Sequence, residues 1–377
     1  MKIPRQYYEA IATLTGCIIG AGILGIPYVV VRAGFWTGIL VIVVLGLAIT
    51  LVHLLVGEVS LRSNVCHQLV GYAEKYLGKK GKYFMTASMV IGVYGALVAY
   101  TLGVSQSLSA IFGGSPWLWA VIFYALMGAL LYGGLQVLEK SEIWMEGFKF
   151  VVFVAVLALL FSSRFFSASR FVGFSWDKLL LPYGVVLFAF AGTAAIPEVR
   201  EELKKCKLLT RRAIILGSLI PLFTYLLFAF AVVGVMGGAA TEVATIGLAG
   251  VLGGFGFLLL HVFAILAMSS SFVALGYALK ETYRVDFRLP RWEAWLLTMS
   301  IPIVLLMLGT TSFIETLQVA GTFAGGIAGI TIVLMHAQAR KGSERKPEYQ
   351  IKLNWLGYGA LIVLFAVGML YELALLL

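Results

Sequence analysis

The sequence predicts an all-α integral membrane protein in which the first and the sixth membrane-spanning helices are broken. Three observations support this fold class. The 377 residues are 61% hydrophobic and 12% charged, with a mean hydropathy of +0.97, and soluble domains cannot bury that much apolar surface. Apolar runs long enough to cross about 30 Å of hydrocarbon recur along the chain. Glycine and proline cluster inside two of these runs.

The apolar runs predict eleven membrane-spanning helices. We place them at residues 7–31, 35–59, 83–112, 117–135, 143–161, 180–199, 212–236, 250–279, 292–308, 313–337 and 355–377. The first run has no small-residue cleavage site and contains helix breakers, so we interpret it as a retained span and not as a signal peptide.

The basic residues in the connections predict the orientation. With the N-terminus in the cytoplasm, the cytoplasmic segments hold 23 of the 28 lysines and arginines. Four others, Arg32, Arg164, Arg170 and Lys178, fall outside, and Lys149 falls within a span. The net charge of +10 is therefore a topology signal that faces anionic lipid, and nucleic-acid binding is not needed to explain it.

The first span contains five helix-breaking residues within twelve positions: Gly16, Gly20, Gly22, Gly25 and Pro27. Backbone released from a helix at membrane depth is tolerated only where protein or a polar ligand satisfies it, so this run marks a candidate binding site. The alternative is that Gly16 and Gly20 form a small-residue face for helix packing.

The sixth span is interrupted in the same way, by Gly192 with Thr193 and then by Pro197, which suits an early helical position. Two broken spans five apart lie in oppositely oriented halves. We therefore predict an inverted repeat of residues 1–162 and 178–338, followed by an additional helix at 353–377, in one transport domain. Interrupted segments at matching positions of two halves indicate a transporter site near the bilayer midplane.

The helix ends define the chemistry of such a site. In the first span, free carbonyls are expected at residues 16–19 and free N–H groups at 21–23. In the sixth span, carbonyls are expected at 188–191 and a new helix start at Thr193. Carbonyl ends attract a cation and N–H ends attract an anion, which the helix dipole reinforces. An α-amino acid carries both charges on one carbon and fits both ends without a charged side chain.

Three motifs in order resemble one group of permeases. The run at 19–28, Ile-Gly-Ala-Gly-Ile-Leu-Gly-Ile-Pro-Tyr, resembles the first-helix motif of the amino acid/auxin permease and hydroxy/aromatic amino acid permease families, within the amino acid/polyamine/organocation superfamily. The runs at 72–81 and from 204 into 234 resemble them too. The resemblance implies a LeuT-type fold with a 5+5 inverted repeat, and secondary active transport of amino acids. It also implies that Gly20, Ala21 and Gly22 bind the substrate carboxylate, and that the carbonyls of Ile18 and of the sixth-span break bind the amine.

The predicted pocket favours a neutral substrate side chain. Many members of the superfamily have a glutamate at the position of Ala195, and we expect Glu198, one turn later, to compensate the positive helix end. Tyr94 lines the pocket in one interpretation and is a core aromatic in the other. The whole predicted substrate site is Ile18, Gly20, Ala21, Gly22, Tyr94, Phe188, Phe190, Ala191, Thr193 and Ala194.

Lys149 is the candidate coupling residue, because an ionisable group in a span is functional by default. The alternative is a lysine that snorkels or pairs with Glu146. In the functional interpretation its amine lies where sodium-coupled relatives bind an ion. That position is near the carbonyls of Gly16 and Ile19 and the hydroxyls of Ser269, Ser270 or Ser271. A desolvated lysine can alternate in charge, which favours proton coupling, but hydroxyls and carbonyls are also sodium ligands.

No nucleophile with a nearby base, phosphate loop or set of metal ligands is found in the sequence, so we expect neither an enzyme nor a cofactor. We predict a proton-coupled symporter of neutral, apolar or aromatic amino acids in the plasma membrane. We expect a monomer whose partners are the free amino acid and the lipid bilayer, with the N-terminus in the cytoplasm and the C-terminus outside. The alternatives are a sodium-coupled symporter, a non-transporting amino acid sensor and an ion channel, which would need a continuous pore.

Overall fold

The computed structural model describes residues 4–133, 139–285, 287–309 and 312–377, without the side chains of 139–149. In these ranges the regular structure is helical. The α-helices are α1 (Arg5–Ile18), α2 (Ile26–Ala33), α3 (Phe35–Arg62), α4 (Leu69–Phe112), α5 (Pro116–Gly133), α6 (Glu139–Phe161), α7 (Tyr183–Ala189), α8 (Ile196–Glu202), α9 (Thr210–Met236), α10 (Ala244–Leu252), α11 (Gly254–Val285), α12 (Arg291–Leu308), α13 (Phe313–Lys341) and α14 (Trp355–Leu376).

These helices account for all eleven predicted spans. By length and hydropathy, eight of the described helices can cross a membrane, and the bent pair Arg5–Ile18 and Ala21–Ala33 makes a ninth. The fifth span corresponds to α6, and the sixth corresponds to α7 and α8 on either side of a break. The all-helical membrane fold with broken first and sixth helices is therefore confirmed.

Glycine conformations correct two of the predicted boundaries. The third span was predicted to begin at residue 83, but its helix begins at Leu69 and is kinked at Gly78, where φ is 68°. The eighth span was predicted to begin at residue 250. That position lies in the short helix α10, because Gly253 and Gly254 both have positive φ and separate α10 from α11. Left-handed φ is favourable only for glycine, so these residues end the regular helix.

The most buried spans surround the two broken ones. In α3, α4 and α9 the most apolar window is 61% buried, whereas in α14 it is 22% buried, so α14 lies at the periphery. The helix α13 packs against α3, α4, α7 and α14. A side chain at Gly321 of α13 would clash with the carbonyl of Gly184 in α7. Small residues thus allow the backbones of α13 and α7 to touch.

The face of the bundle from which α1 enters, called here the N-terminal face, is covered by the linker 342–354. The linker anchors on Glu58 at the end of α3, which is fully buried. Glu58 forms an ion pair of 2.7 Å with Arg62, lies 3.2 Å from Nε2 of His336, and accepts a hydrogen bond from the N–H of Ile351. Each charge in this cluster has an opposite or polar partner, so the cluster stabilises the position of the linker.

A second anchor of the linker lies at the surface of the same face. The carboxylate of Glu344 pairs with the ammonium of Lys75 at 2.6 Å and accepts a hydrogen bond from the N–H of Asn64 at 2.9 Å. These contacts, that of Lys75 first, lower the pKa of the Glu344 carboxyl. Arg200 of α8 donates to the carbonyl of Ser63 in the same region. The α3–α4 connection is therefore held by both the linker and the second half of the sixth span.

Two ion pairs with the same i,i+4 spacing provide a matched test of the buried anchor. We expect Glu58→Gln to lower the free energy of unfolding by about 3–5 kcal/mol, because it leaves Arg62 as an uncompensated buried cation. Glu9→Gln removes the partner of Arg5 in a pair whose side chains are 90% and 46% exposed, and we expect a loss below about 0.5 kcal/mol. The measurement is denaturant unfolding of both variants in detergent micelles. Equal losses would contradict a stabilising role of burial at Glu58.

Candidate functional site

The first span changes direction in its middle. The helix α1 ends at Ile18, a short 3-10 helix covers Ala21–Gly25, and α2 begins at Ile26 with Pro27 in its first turn. The two halves are bent by 46°. Gly20 at the break has an extended backbone with φ −110° and ψ −158°, so no helical hydrogen bond crosses this point. The predicted position of the break is therefore confirmed.

The start of the second half presents unused backbone donors. Ala21 and Gly22 are buried, and within the described residues their N–H groups donate to no protein acceptor. Buried N–H groups are nearly always paired, and two of them at the start of a helix form a natural site for an anion. The structure thus brings together the donors predicted to bind a carboxylate.

The sixth span is broken at the predicted residues. The helix α7 ends at Ala189, Gly192 precedes a 3-10 turn at Thr193–Ala195, and α8 begins at Ile196. Pro197 lies in the first turn of α8, as predicted, and Glu198 follows it there at the positive helix end. The predicted position of Pro197 is confirmed, and Glu198 lies where its predicted compensating role requires it.

Close backbone packing holds the two breaks together. A Cβ atom at Gly22 would lie 2.7 Å from the Cα atom of Ala189, and one at Gly192 would clash with the side chain of Ile18. Only glycine allows this approach. The free donors of the first span consequently lie beside the end of α7.

Tyr225 of α9 joins the two breaks, which the sequence analysis did not anticipate. Its buried hydroxyl lies 2.6 Å from the carbonyl oxygen of Ile18 and 2.8 Å from that of Ala189. The N–H of Gly20 also donates to the Ile18 carbonyl, at 2.8 Å. Because the Tyr225 hydroxyl has one hydrogen, it can donate to the Ile18 oxygen or to the Ala189 oxygen but not to both at once. The only sequence signal was a tyrosine in an apolar span, whose hydroxyl needs a partner when buried.

Aromatic side chains border the breaks, but Tyr94 is not one of them. Its hydroxyl lies 2.7 Å from that of Tyr283 and donates to the carbonyl of Leu297 at 3.0 Å, as in the core-aromatic alternative. Tyr100, six residues later on α4, packs edge-on against Phe188 with ring centroids 6.4 Å apart. Tyr100 therefore corrects Tyr94 as the aromatic residue of α4 beside the sixth-span break.

The other predicted aromatic residue lies behind the break. Phe190 is fully buried, and its ring packs on that of Tyr225 with centroids 5.0 Å apart. Phe188 is only partly buried, and Thr193 is partly exposed. Phe188 and Thr193 can therefore reach a ligand, whereas Phe190 supports Tyr225.

Exposure differs sharply between the two sides of the breaks. Cys17, Ala191, Ala194 and Glu198 are exposed and belong to the halves of the two spans nearer the N-terminal face. The halves nearer the opposite face, 21–27 and 182–187, are buried throughout. Around the breaks, the described residues are therefore more exposed toward the N-terminal face than toward the opposite face.

The predicted coupling residues belong to the first span, to α6 and to α11. The side chain of Lys149 lies outside the described residues, although its helix α6 packs against α11, which carries the three serines. Ser269, Gly16 and Ile19 are partly buried, and Ser270 donates to the carbonyl of Ala267 at 3.1 Å. Ser271 approaches the first-span break, because a Cβ at Gly20 would lie 3.4 Å from its Oγ. The serine that the structure brings to the break is thus Ser271.

The fold is similar to that of a solved transporter. The inward-facing conformation of Mhp1 aligns with 98% of this chain and 89% of its own, with a TM-score of 0.69 at 15% sequence identity. This similarity confirms the predicted LeuT-type fold.

The sequence is similar to those of characterised transport proteins. Glutamine transporter 2 of Aliivibrio fischeri is 25% identical over 87% of this chain and 88% of its own length. The tyrosine-specific transport system 1 of Haemophilus influenzae is 25% identical over 95% of this chain and 93% of its own. These relatives are transporters of amino acids and not enzymes. The model of the tryptophan/tyrosine permease family matches residues 5–375. The chain therefore belongs to the tryptophan/tyrosine permease family.

Proposed function

We propose that this protein is a secondary active transporter of neutral amino acids that binds its substrate between the two broken helices. The observation that carries the proposal is the pair of buried, unpaired N–H groups of Ala21 and Gly22. A substrate carboxylate satisfies both donors and gains from the helix-start dipole. Leaving a buried donor unpaired costs about 1–3 kcal/mol, and a bound carboxylate removes this cost for both N–H groups.

The amine of the substrate requires oxygen acceptors on the other side of the breaks. The carbonyls of Ile18 and Ala189 both lie next to the Tyr225 hydroxyl, which has one hydrogen to donate and lone pairs to accept. We infer that the ammonium group binds in this cluster of three oxygens, with further carbonyls of residues 190–191. The predicted roles of Gly20, Ala21, Gly22 and Ile18 are retained in this proposal, with Tyr225 added.

The surroundings of the breaks favour an aromatic or apolar substrate side chain. Tyr100 and Phe188 provide ring surface, and Ala191 and Ala194 leave space on the exposed side. An aromatic ring would stack in such a setting, which supports tyrosine or tryptophan as the substrate. The similarity to a glutamine transporter supports a second candidate, a neutral polar side chain of comparable length.

Alternating access follows from the difference in exposure. We infer that the structure represents a state open to the N-terminal face, which the distribution of basic residues places in the cytoplasm. The transport cycle then closes that side and opens the other. Spans one, two, six and seven rock against the remainder, within inverted repeats of residues 1–162 and 178–338 and an added helix at 353–377.

We also propose proton coupling through Lys149, with sodium bound near Ser269, Ser270 and Ser271 as the alternative. The close packing of α6 and α11 supports a shared coupling region for the lysine and the serines. The protein is further proposed to be a monomer of the plasma membrane, with a cytoplasmic N-terminus and an external C-terminus. Its membership of the wider amino acid/polyamine/organocation superfamily and its relation to the auxin permeases belong to the same proposal.

Gly20→Ala tests the substrate site with little disturbance of the fold. The added methyl group has room, because its nearest neighbour would be Ser271 Oγ at 3.4 Å, and φ is negative. We expect the affinity for labelled tyrosine, tryptophan or glutamine to fall at least about tenfold, equivalent to about 1.4 kcal/mol, because the methyl obstructs the approach of the substrate backbone. Binding is measured by scintillation proximity in detergent. Gly359→Ala on α14, where no atom lies within 4 Å, is the control. Unchanged affinity in Gly20→Ala excludes the proposed position of the carboxylate.

Cys17 reports on the open side of the site. In a background of Cys66→Ser and Cys206→Ser, we expect N-ethylmaleimide to label the exposed Cys17, and we expect bound substrate to slow the labelling several-fold. The further variant Cys17→Ser shows how much label is non-specific. Labelling that is absent, or that is indifferent to saturating substrate, is incompatible with an open vestibule at this break.

Uptake into proteoliposomes under imposed proton or sodium gradients identifies the coupling ion. We expect an inward proton gradient to drive accumulation of labelled amino acid without sodium, and we expect Lys149→Ala to abolish that accumulation while substrate binding persists. Removal of the only ionisable group proposed for coupling leaves the proton without a carrier. Sodium-driven uptake that survives Lys149→Ala would assign coupling to the serines of α11. Binding without any uptake by wild type would instead indicate a sensor.

A further inference from the structure

The last helix contains one charged residue, and this residue is buried within the span, where an ionised side chain is unfavourable. Glu372 is the only charged side chain in α14 and is 5% exposed. It lies four residues before the end of the helix, about 6 Å inside the face opposite the N-terminus. An ionisable residue within a span indicates a function unless a partner compensates its charge.

The partner of Glu372 is neutral. Nε2 of Gln318 on α13 donates to Oε2 of Glu372 at 2.9 Å. Among the described residues no lysine, arginine or histidine forms an ion pair with this carboxylate. The contrast with the buried Glu58, which has both Arg62 and His336, is direct. Glu372 is therefore not held by a compensating cation.

Among the described residues, the elements that pack against this end of α14 supply no positive charge there either, because the basic residues of α13 lie at its far end. From α13, Glu315 belongs to the capping box at the helix start, and Glu242 accepts from the N–H of Ile314 there. From α7, the hydroxyl of Tyr183 donates to the carbonyl of Leu364 on α14. On α14 itself, Tyr371 is adjacent. These groups are anionic or neutral, so none of them compensates a charge on Glu372.

Gln318 links Glu372 to the closed side of the substrate site. The backbone carbonyl of Gln318 and the hydroxyl of Thr322 leave no space for a side chain at Gly184 of α7. On the same helix, Ile314 and Leu317 pack against Gly25 in the second half of the first span. The helix α13 thus covers both broken spans on this side, and Glu372 of α14 binds α13 through Gln318.

We propose that Glu372 is a pH sensor that sets how often the side opposite the N-terminus opens. A proton from the water on that side binds the carboxylate, and the neutral acid remains buried against Gln318 at low cost. When the proton leaves, the anion gains by becoming hydrated, which requires α13 and α14 to separate. Lower pH outside therefore stabilises the closed arrangement of α13 over α7, and higher pH favours its opening. This inference rests on the alternating access and the topology of the proposed function.

Labelling of Cys17 measures this equilibrium without any substrate. The full chain with Cys66→Ser and Cys206→Ser is reconstituted in vesicles with the N-terminal face inward, the inner pH is clamped, and membrane-permeant N-ethylmaleimide is added. We expect the labelling rate to rise several-fold as the outer pH falls from about pH 8 to about pH 5, because a neutral Glu372 keeps the outer side closed and the N-terminal side open. In Glu372→Gln, which mimics the neutral acid, we expect a high rate that is independent of the outer pH.

Two control variants keep the outcome specific to this carboxylate. Glu315→Gln removes an exposed carboxylate at the same face and should keep the pH dependence of the parent protein. Glu372→Asp keeps a titratable group and should restore a pH dependence that Glu372→Gln lacks, which also excludes misfolding as the cause. The proposal is overturned if Glu372→Gln responds to the outer pH like its parent, or if the parent shows no response. Failure of amino acid transport would refute the proposed function but not these labelling results.

Discussion

The centre of this protein depends on the hydroxyl group of Tyr225. Breaking two helices at the same membrane depth leaves carbonyl oxygens without their helical donors, and an unpaired backbone group in a low-dielectric interior is expensive. One hydroxyl from α9 lies within hydrogen-bonding distance of the last carbonyl of α1 and of the last carbonyl of α7. The Tyr225 hydroxyl supplies one hydrogen-bond donor in place of the two helical N–H donors that the breaks remove. The carbonyl ends of both half-helices are thereby tied to one rigid ring, while the N–H ends on the other side remain available.

The breaks could be predicted from the sequence, but the residue that joins them could not. Glycine and proline limit or release the backbone locally, so Gly20, Gly192 and Pro197 indicate where helices end without knowledge of the neighbours. The bond from Tyr225 to Ile18 spans 207 positions, and nothing local distinguishes this tyrosine from Tyr94, whose hydroxyl pairs with Tyr283. The same reason explains why Tyr94 was placed at the site and Tyr100 was not. Both are tyrosines of one helix, and only tertiary packing decides which faces the break. The kink at Gly78 and the separation of α10 from α11 depend on positive φ, which composition alone does not reveal.

Two kinds of packing divide the molecule across the breaks. Toward the face opposite the N-terminus, Gly184 and Gly321 let the backbones of α13 and α7 touch, and Gly25 of the first span receives the side chains of Ile314 and Leu317. Lipid offers apolar contact as good as that between helices, so such close contacts rely on van der Waals fit and on a few polar bonds. Toward the N-terminal face, the same spans carry exposed positions such as Cys17 and Ala194. One side is thus packed by close fit and a few polar bonds and the other carries small exposed residues, and the proposed reversible exchange of access requires such a difference.

The two buried carboxylates Glu58 and Glu372 differ in whether a cationic side chain compensates their charge. Glu58 is completely buried, yet Arg62, His336 and the N–H of Ile351 surround it, so its ionised form is stable in every state that preserves the linker 342–354. Glu372 is slightly more exposed and has only an amide beside it. A compensated carboxylate resists both protonation and movement, because either one leaves a cation unpaired. An uncompensated carboxylate exchanges its proton when its surroundings change, since its preferred charge differs between a buried and a hydrated position. Burial alone would rank Glu58 as the more significant residue, whereas the partners of each carboxylate show that Glu372 is the one able to respond.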